Sequence, residues 1–273
     1  MHDRTGYRIG KVITSVTLLV LLAVFTVACG RAEITADSSK VDRGDLVNPA
    51  SEGEEEVLES MIEVNPPLGT SNNRLVGSDQ MSTDEFVQAV GANVNALWQA
   101  VFEQSGFSYS NASLVLYDEP IPATGCDAAG VADPQMGPFY CPQNQTIYYP
   151  LSWQDPSSGE TPAEIGDFAV AVIVAHEGGH HIQNLLDISS DPNALSIQLE
   201  LQADCFAGIW SRSVFEQGVL EPGDIGEAVH VAANAADMPG TPPESAGAHG
   251  TEAQRTNAFF TGYESGDVNQ CSF

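Results

Sequence analysis

The stretch that decides the fold is DFAVAVIVAHEGGHHIQNLL, residues 167–186, where an apolar run leads into a cluster of histidines. Apolar side chains occupy nearly every side of a helix drawn through this stretch, which predicts a helix buried in the middle of the domain. Thr161, Pro162 and Glu164 supply an N-cap, a first-turn proline and a capping-box partner, so we expect the helix to open there. It should run through Leu186.

Four further helices are predicted around this buried helix. Their starts are marked by capping residues: Ser82 with Glu85, Asp191 with Pro192, Pro222 to Asp224, and Thr251 with Gln254. The first of them should end near Gly106 and the second near Glu216. SLVLY at 113–117 and TIYYPL at 146–151 predict two strands, separated by a Gly/Pro/Cys loop over 120–144. The predicted fold class is therefore α+β, a mainly helical domain with a small β-sheet and a buried active-site helix.

The histidine cluster predicts a metal site. His176 and His180 are four residues apart, so both side chains lie on one face of the helix and reach a single ion. Glu177 lies about 100° around the helix by the 3.6-residue repeat, beside the ion, where its carboxylate can take a proton from a metal-bound water. The alternative is that these are exposed polar residues or hydrogen-bonded core histidines. Burying them on an apolar helix without a metal or charge partner would be costly, which favours the metal.

A catalytic zinc ion needs a third protein ligand and one open position. The segment ELQAD offers Glu200 and Asp204, again four residues apart on one helical face. We predict Glu200 as the third ligand, and Asp204 as the acceptor for the second ring proton of a liganding histidine. A solvated acidic face is the alternative, but the apolar residues around the pair, from Leu199 to Ile209, favour an inward orientation.

Five segments resemble the bacterial neutral zinc metallopeptidase family, whose helix motif is H-E-x-G-H-H-x-Q. They are HEGGHHIQNLL, ELQADCFAGIW, GVLEPGDI, GPFYCP with IYY after it, and HGTEAQRTNAFFTGYESGD. The match runs from about residue 84 to the C-terminus. The resemblance implies a zincin-like fold, an endopeptidase-type activity and one zinc ion per chain. It also implies His176, His180 and Glu200 as zinc ligands and Glu177 as the catalytic residue.

Other residues near these motifs have weaker predicted roles. His181 points about 100° away from His180, so we expect a second-shell or structural hydrogen bond from it and no bond to zinc. His249 and Arg255 are candidates to stabilise an oxyanion, and pairing of Arg255 with buried carboxylates is an equal alternative. By analogy with zincins, the strand that carries Tyr148 and Tyr149 would pair with an extended substrate, and core packing is their other role.

The N-terminal part of the chain predicts export. Residues 1–28 combine a basic start with an apolar core, as in a secretory signal, and Cys29 follows Ala28 as in a lipoprotein cleavage site. An uncleaved membrane anchor is the alternative. Residues 29–81 are acidic and poor in aromatic residues, which predicts a flexible tether, with a folded pro-segment as the competing interpretation. The metallopeptidase domain should then span residues 82–273.

Four cysteines remain after Cys29, an even number that favours two disulfides in an exported protein. We favour Cys126 with Cys141, which closes a short loop, and Cys205 with Cys271, which would join the C-terminus to a helix. The sequence alone leaves the other two pairings open. Zinc binding by these cysteines is disfavoured, because none of them belongs to a C-x-x-C pair.

The formal net charge of −28 makes nucleic acid an improbable partner. The sequence as a whole therefore predicts an exported, membrane-anchored zinc metallopeptidase that hydrolyses a peptide or protein substrate. One alternative is a zinc-stabilised, non-catalytic binding or scaffolding lipoprotein of the cell envelope. Another is a latent protease whose tether blocks the site.

Overall fold

A computed structural model describes residues 81–126, 130–153, 159 and 165–273 of the chain. The predicted export segment, the lipidation candidate Cys29 and the predicted tether as far as residue 80 lie outside the described residues. Among the described helices, none has both the length and the apolar character that a membrane span requires.

Five α-helices make up most of the described part of the chain. They are α1 (Thr83–Gln104), α2 (Asp167–Leu185), α3 (Ser196–Glu216), α4 (Asp224–Asn234) and α5 (Glu252–Ser265). The capping boxes predicted at Ser82 and Thr251 are both present. The predicted start of α3 at Asp191 is wrong, because the Asp191 side chain accepts the backbone N–H of Asn193 in a turn and the helix begins five residues later.

The strands are few and short, so the prediction of a helix-rich α+β fold is confirmed. They are β1 (Ser113–Tyr117), β2 (Ile121–Pro122), β3 (Val131–Ala132), β4 (Phe139–Cys141) and β5 (Thr146–Pro150). Three of them form one sheet in the order β1-β5-β4, with β5 parallel to β1 and antiparallel to β4. Strands β2 and β3 form a separate antiparallel pair inside the segment that was predicted to be a loop.

The expectation that Tyr148 lies on a substrate-pairing strand is wrong, while Tyr149 pairs with β1 alone in the described sheet. Strand β5 is the central strand of its sheet, and residues 146–148 pair with β1 on one side and with β4 on the other. Backbone groups that already belong to two ladders have none left for an added strand. Both tyrosines are buried, which corresponds to their alternative role in core packing.

Helix α2 is the buried helix that the sequence predicts, and it packs against α1, α3 and α4. Its described start is Asp167, later than the predicted Thr161, which lies outside the described residues. Gly166 ends any helix before this point because its φ of 96° is far from the helical region. The carboxylate of Glu227 occupies the space beside Gly166 and accepts the backbone N–H of Phe168 at 3.0 Å. A residue from α4 therefore caps α2.

Helices α3 and α5 touch backbone to backbone at two glycines. A Cβ added to Gly262 would overlap the carbonyl oxygen of Cys205, and one added to Gly208 would overlap that of Phe259. Larger residues at these two positions would push the helix axes apart. This close crossing matters for function because α3 and α5 both contribute side chains to the candidate site described below.

Replacing Gly262 with alanine should destabilise the fold, because the added methyl meets backbone atoms that cannot move aside. We expect a loss of about 1–3 kcal/mol in the free energy of unfolding, measured by urea denaturation with the disulfides intact. Gly226 in α4 is the matched control, since nothing lies within 4 Å of a Cβ added there. Alanine at Gly226 should be neutral or stabilising by about 0.5–1 kcal/mol. Equal stability of the two variants would contradict the backbone contact.

Both favoured disulfides are present, so this prediction is confirmed. Cys126 pairs with Cys141 and Cys205 pairs with Cys271. The first bond closes the segment that contains β3 and β4. The second attaches the C-terminal end of the chain to α3, and it spans 66 residues of sequence. A covalent link of this length restricts the unfolded chain and so favours the folded state.

Candidate metal centre

Two imidazoles and one carboxylate converge between α2 and α3. His176 and His180 lie one turn apart on α2, and Glu200 faces them from α3. The Nε2 atom of His176 lies 3.3 Å from Oε2 of Glu200, and the Nε2 atom of His180 lies 3.3 Å from Oε1. The structure therefore brings together the three residues that the sequence predicts as metal ligands.

The donor set fits a zinc ion. One ligand atom from each of the three residues lies within 4.8 Å of the others, so one small cation can contact all three. Two imidazole nitrogens and a carboxylate oxygen are the ligands of many catalytic zinc sites, which keep a fourth position for water or substrate. All three side chains retain partial exposure, between 12% and 21%. The ligand atoms are accordingly reachable from solvent.

Two glycines of the motif explain how the neighbouring helices approach this point. A Cβ on Gly178 would lie 2.6 Å from Cγ1 of Val94 on α1. A Cβ on Gly179 would lie 2.9 Å from the Cα of Ala203 on α3, which is closer than real Cβ contacts allow. The small residues between His176 and His180 therefore let α3 come near enough for its carboxylates to reach the histidines.

Asp204 supports His176 from behind, where the sequence places it. The Nδ1–H of His176 donates to Oδ1 of Asp204 at 2.9 Å, which leaves Nε2 free to face Glu200. Burial disfavours the charged imidazolium, but the hydrogen bonds and negative charges of Asp204 and Glu200 outweigh it and raise the pKa of His176 to about 10. A metal cation binding at Nε2 would therefore compete with a proton at this ring.

Arg255 of α5 holds Asp204 in place. Its Nε donates to Oδ2 of Asp204 at 2.8 Å and its Nη2 to Oδ1 at 2.7 Å, and both residues are about 95% buried. Its Nη1 donates to the carbonyl of Ala235. The structure thus places Arg255 in the second of its two predicted roles, the pairing with a buried carboxylate. Burial raises the pKa of Asp204, but the charge and hydrogen bonds of Arg255 outweigh it and the pKa is lowered.

Gln183 is a neighbour of the site that the sequence analysis missed. Its Oε1 lies 2.9 Å from Nδ1 of His180, so it occupies for His180 the place that Asp204 occupies for His176. The sequence did hold a signal. Gln183 comes three residues after His180 on an otherwise apolar helix, which puts the two side chains on adjacent positions of one face.

Glu177 lies beside the three ligands and is not one of them. The residue is 8% exposed, and within the described part of the chain its carboxylate accepts no hydrogen bond. Burial lowers the pKa of His180 and of Arg255, the partners Glu200 and Asp204 outweigh it, and the charge of Glu177 adds a smaller effect in the same raising direction. A buried carboxylate without a fixed donor is free to accept a proton.

His181 points away from the centre. Its Nε2 donates to the carbonyl of Ser110 at 2.6 Å, and its Nδ1 accepts the hydroxyl proton of Tyr140 at 2.9 Å. Burial lowers its pKa, so the ring is neutral at pH 7. Neither Ser110 nor Tyr140 belongs to the candidate metal centre. His181 therefore has a structural role and joins α2 to the sheet region.

His249, the other oxyanion candidate, contacts Asp237. Its Nδ1 lies 3.6 Å from Oδ1 of Asp237, its backbone N–H donates to the same carboxylate, and its side chain is 49% exposed. These contacts order the loop before α5. Both of these contacts are to Asp237, which is not one of the three candidate ligands.

The fold and the site together define a helix-rich α+β protein with a candidate centre for one divalent metal ion. The chain belongs to the family described as "Putative neutral zinc metallopeptidase", whose model matches residues 59–273. This confirms the family resemblance. The matched region begins earlier than the expected residue 84, so residues 59–81, which were assigned to the tether, are included in it.

Relatives of similar length occur in Escherichia coli and Mycobacterium tuberculosis. "Uncharacterized protein YpfJ" of Escherichia coli K12 is 35% identical over 233 residues, which cover 79% of each chain. "Uncharacterized protein Rv2575" of Mycobacterium tuberculosis is 33% identical over 253 residues, which cover 82% of each chain. No solved structure matches the chain. The family thus implies zinc, while the printed names of these relatives state no activity.

Proposed function

We propose that this protein is a zinc-dependent peptidase of the endopeptidase type with a zincin-like fold. One zinc ion would be held by His176, His180 and Glu200. The observation that supports this most directly is the pairing of that three-ligand set with Glu177, a buried carboxylate that stands next to the ligands and accepts no described hydrogen bond. A metal that served only to stabilise the fold would not need such a neighbour.

When bound at this site, zinc polarises the carbonyl of the substrate and lowers the pKa of water to about 7. The protein's own groups then carry the proton. Glu177 accepts a proton from the attacking water as the oxygen adds to the peptide carbonyl carbon. It returns that proton to the leaving nitrogen as the carbon–nitrogen bond breaks, and the products are a carboxylic acid and an amine.

The residues behind the ligands prepare the site before substrate arrives. Asp204 keeps the proton of His176 on Nδ1, and Arg255 keeps Asp204 ionised and in position. Because these groups are fixed by the packing of α3 and α5, the ligand atoms need little rearrangement when the ion binds.

We also propose that the protein is exported and anchored to the cell-envelope membrane. The basic and apolar residues 1–28 and the cysteine at position 29 support this proposal. A globomycin-sensitive shift in the size of the expressed full-length chain would indicate cleavage before Cys29.

The partner at the active site would be a peptide or an unfolded protein segment.

The purified full-length protein should contain about one zinc ion per chain by atomic emission analysis and should cleave casein. Treatment with 1,10-phenanthroline should remove the ion and stop the cleavage, and stoichiometric zinc should restore it. A non-catalytic zinc-stabilised scaffold would bind the ion and leave casein intact. Cleavage that persists at full rate after the ion is removed would contradict the proposal.

A further inference from the structure

The two histidine ligands are held from behind by different kinds of group. His176 donates to a carboxylate, Asp204, which is neutralised by Arg255. His180 instead faces a neutral amide, that of Gln183, which is 1% exposed. A buried amide has an orientation, with an oxygen that accepts and a nitrogen that donates, so the groups around it decide which end meets the histidine.

A backbone carbonyl fixes the orientation of Gln183. Its side-chain nitrogen lies 2.7 Å from the carbonyl oxygen of Leu199 and 3.2 Å from Oε1 of Gln202. A carbonyl oxygen only accepts hydrogen bonds, so the opposite orientation would place two oxygens against each other. The oxygen of Gln183 must therefore face His180.

Gln202 is oriented in the same way by the C-terminal segment. Its side-chain nitrogen donates to the carbonyl of Cys271 at 2.7 Å, which turns its oxygen toward Gln183. The disulfide to Cys205 of α3 fixes Cys271 against the helix that carries Gln202. The carbonyl of Cys271 thus orients Gln202, and Gln202 together with the carbonyl of Leu199 orients Gln183. Gln183 in turn presents its oxygen to His180.

These hydrogen bonds also decide the tautomer of His180. Because Oε1 of Gln183 only accepts, Nδ1 of His180 must carry a hydrogen, so whenever the ring is neutral its lone pair lies on Nε2. That Nε2 faces Oε1 of Glu200 at 3.3 Å, in the ligand set. A metal ion at this position needs the lone pair on Nε2.

We propose that Gln183 is a positioning residue that holds His180 in the tautomer and orientation required for zinc binding. Gln202 and the carbonyl of Cys271 act through Gln183. This inference rests on the zinc site of the proposed function, and it extends that site to the C-terminal segment. The fixed neighbours of zinc-binding histidines typically change metal affinity by about 10–100-fold when they are removed.

Zinc affinity of the full-length protein, measured by competition with a chromophoric chelator, tests the proposal without relying on peptidase activity. Gln183→Leu should weaken zinc binding by about 10–100-fold. Gln202→Met should weaken it less, because Gln183 keeps its bond to Leu199. The double variant should bind zinc as Gln183→Leu does, because the effect of Gln202 passes through Gln183.

Gln198 provides a matched control on the same helix. Its side-chain nitrogen also donates to the C-terminal segment, at the carbonyl of Phe273, and none of the described hydrogen bonds joins it to Gln183. Gln198→Met should leave the zinc affinity unchanged. Urea unfolding of the metal-free proteins checks whether Gln183→Leu folds. If it does not fold, the comparison of zinc affinity between Gln202→Met and Gln198→Met becomes the test. The absorption spectrum of cobalt bound in place of zinc then reports the geometry of the ligands.

Each outcome has a definite meaning. Unchanged zinc affinity in folded Gln183→Leu, or additive losses in the double variant, would overturn the positioning role while leaving the peptidase proposal intact. Zinc binding with the expected losses but no cleavage by the unmutated protein would overturn the peptidase and support the positioning role. Absence of zinc binding by the unmutated protein would overturn both.

Discussion

Glu177→Gln should reduce the turnover of a peptide substrate by about 10²–10⁴-fold, which is the usual contribution of a general base. Glutamine has nearly the same size as glutamate and keeps an oxygen acceptor, but it cannot take a proton at neutral pH. Glu177 is not among the three ligand residues, so the substitution leaves the metal donors in place. The measurement is kcat and KM on a fluorogenic peptide or on labelled casein, with the zinc content determined on the same sample.

Two controls make the result specific to Glu177. The variant should still contain about one zinc ion per chain, which separates a loss of base from a loss of metal. Glu103→Gln is the matched substitution, because the Glu103 side chain is exposed and its described hydrogen bond is to Gln99 on its own helix. It should leave the turnover unchanged. Full turnover by zinc-loaded Glu177→Gln would exclude the role given to Glu177.

Arg255→Leu should lower the free energy of unfolding by about 3–5 kcal/mol, because it removes the guanidinium that makes two hydrogen bonds to the buried carboxylate of Asp204. For a domain of this size the expected fall in melting temperature is about 6–20 °C. Both side chains of the pair are at least 94% buried, so solvent cannot replace the lost partner. Thermal unfolding of the metal-free protein measures the effect without a contribution from zinc.

Arg212 is the matched control, since Arg212 and Arg255 are the two Lys or Arg residues after Arg74. Arg212 pairs with Glu216 in an i,i+4 ion pair and its side chain is 25% exposed. Its Nη1 also donates to the carbonyls of Tyr263 and Glu264. Arg212→Leu should cost less than Arg255→Leu, because water can reach the groups that Arg212 leaves behind. Adding Asp204→Asn to Arg255→Leu should recover part of the stability, because the unpaired charge is gone. If Arg255→Leu and Arg212→Leu cost the same, the buried pair does not have the role described.

Most of the secondary structure followed from local signals. The capping boxes at Ser82 and Thr251 depend on residues three apart, and both are present. The start predicted for α3 at Asp191 was wrong because the Asp191 side chain and the Asn193 backbone form a local turn. At the start of α2, Gly166 stands against the carboxylate of Glu227 from α4, which accepts the backbone N–H of Phe168. No pattern within the segment could have revealed that contact.

The sheet shows the same limit. The residues of β1 and β5 were assigned correctly from their alternation and flanking turns, but the sequence did not give the strand order. Strand β4 is close to β5 in the sequence and pairs with it antiparallel. Strand β1 is farther away in the sequence and pairs with β5 in parallel. Residues 146–148 of β5 already pair with a strand on each side. This part of the strand therefore cannot pair with an extended substrate.

The sequence by itself determined the part of the centre that lies within one helix. The spacing of His176 and His180 places both rings on one face and Glu177 to the side, since the helical repeat requires nothing beyond the chain's own hydrogen bonds. Only the tertiary structure decided that Arg255 holds Asp204 behind His176. Arg255 reaches Asp204 across 51 residues because α3 and α5 cross at glycines, and such packing depends on surfaces that are far apart in the chain.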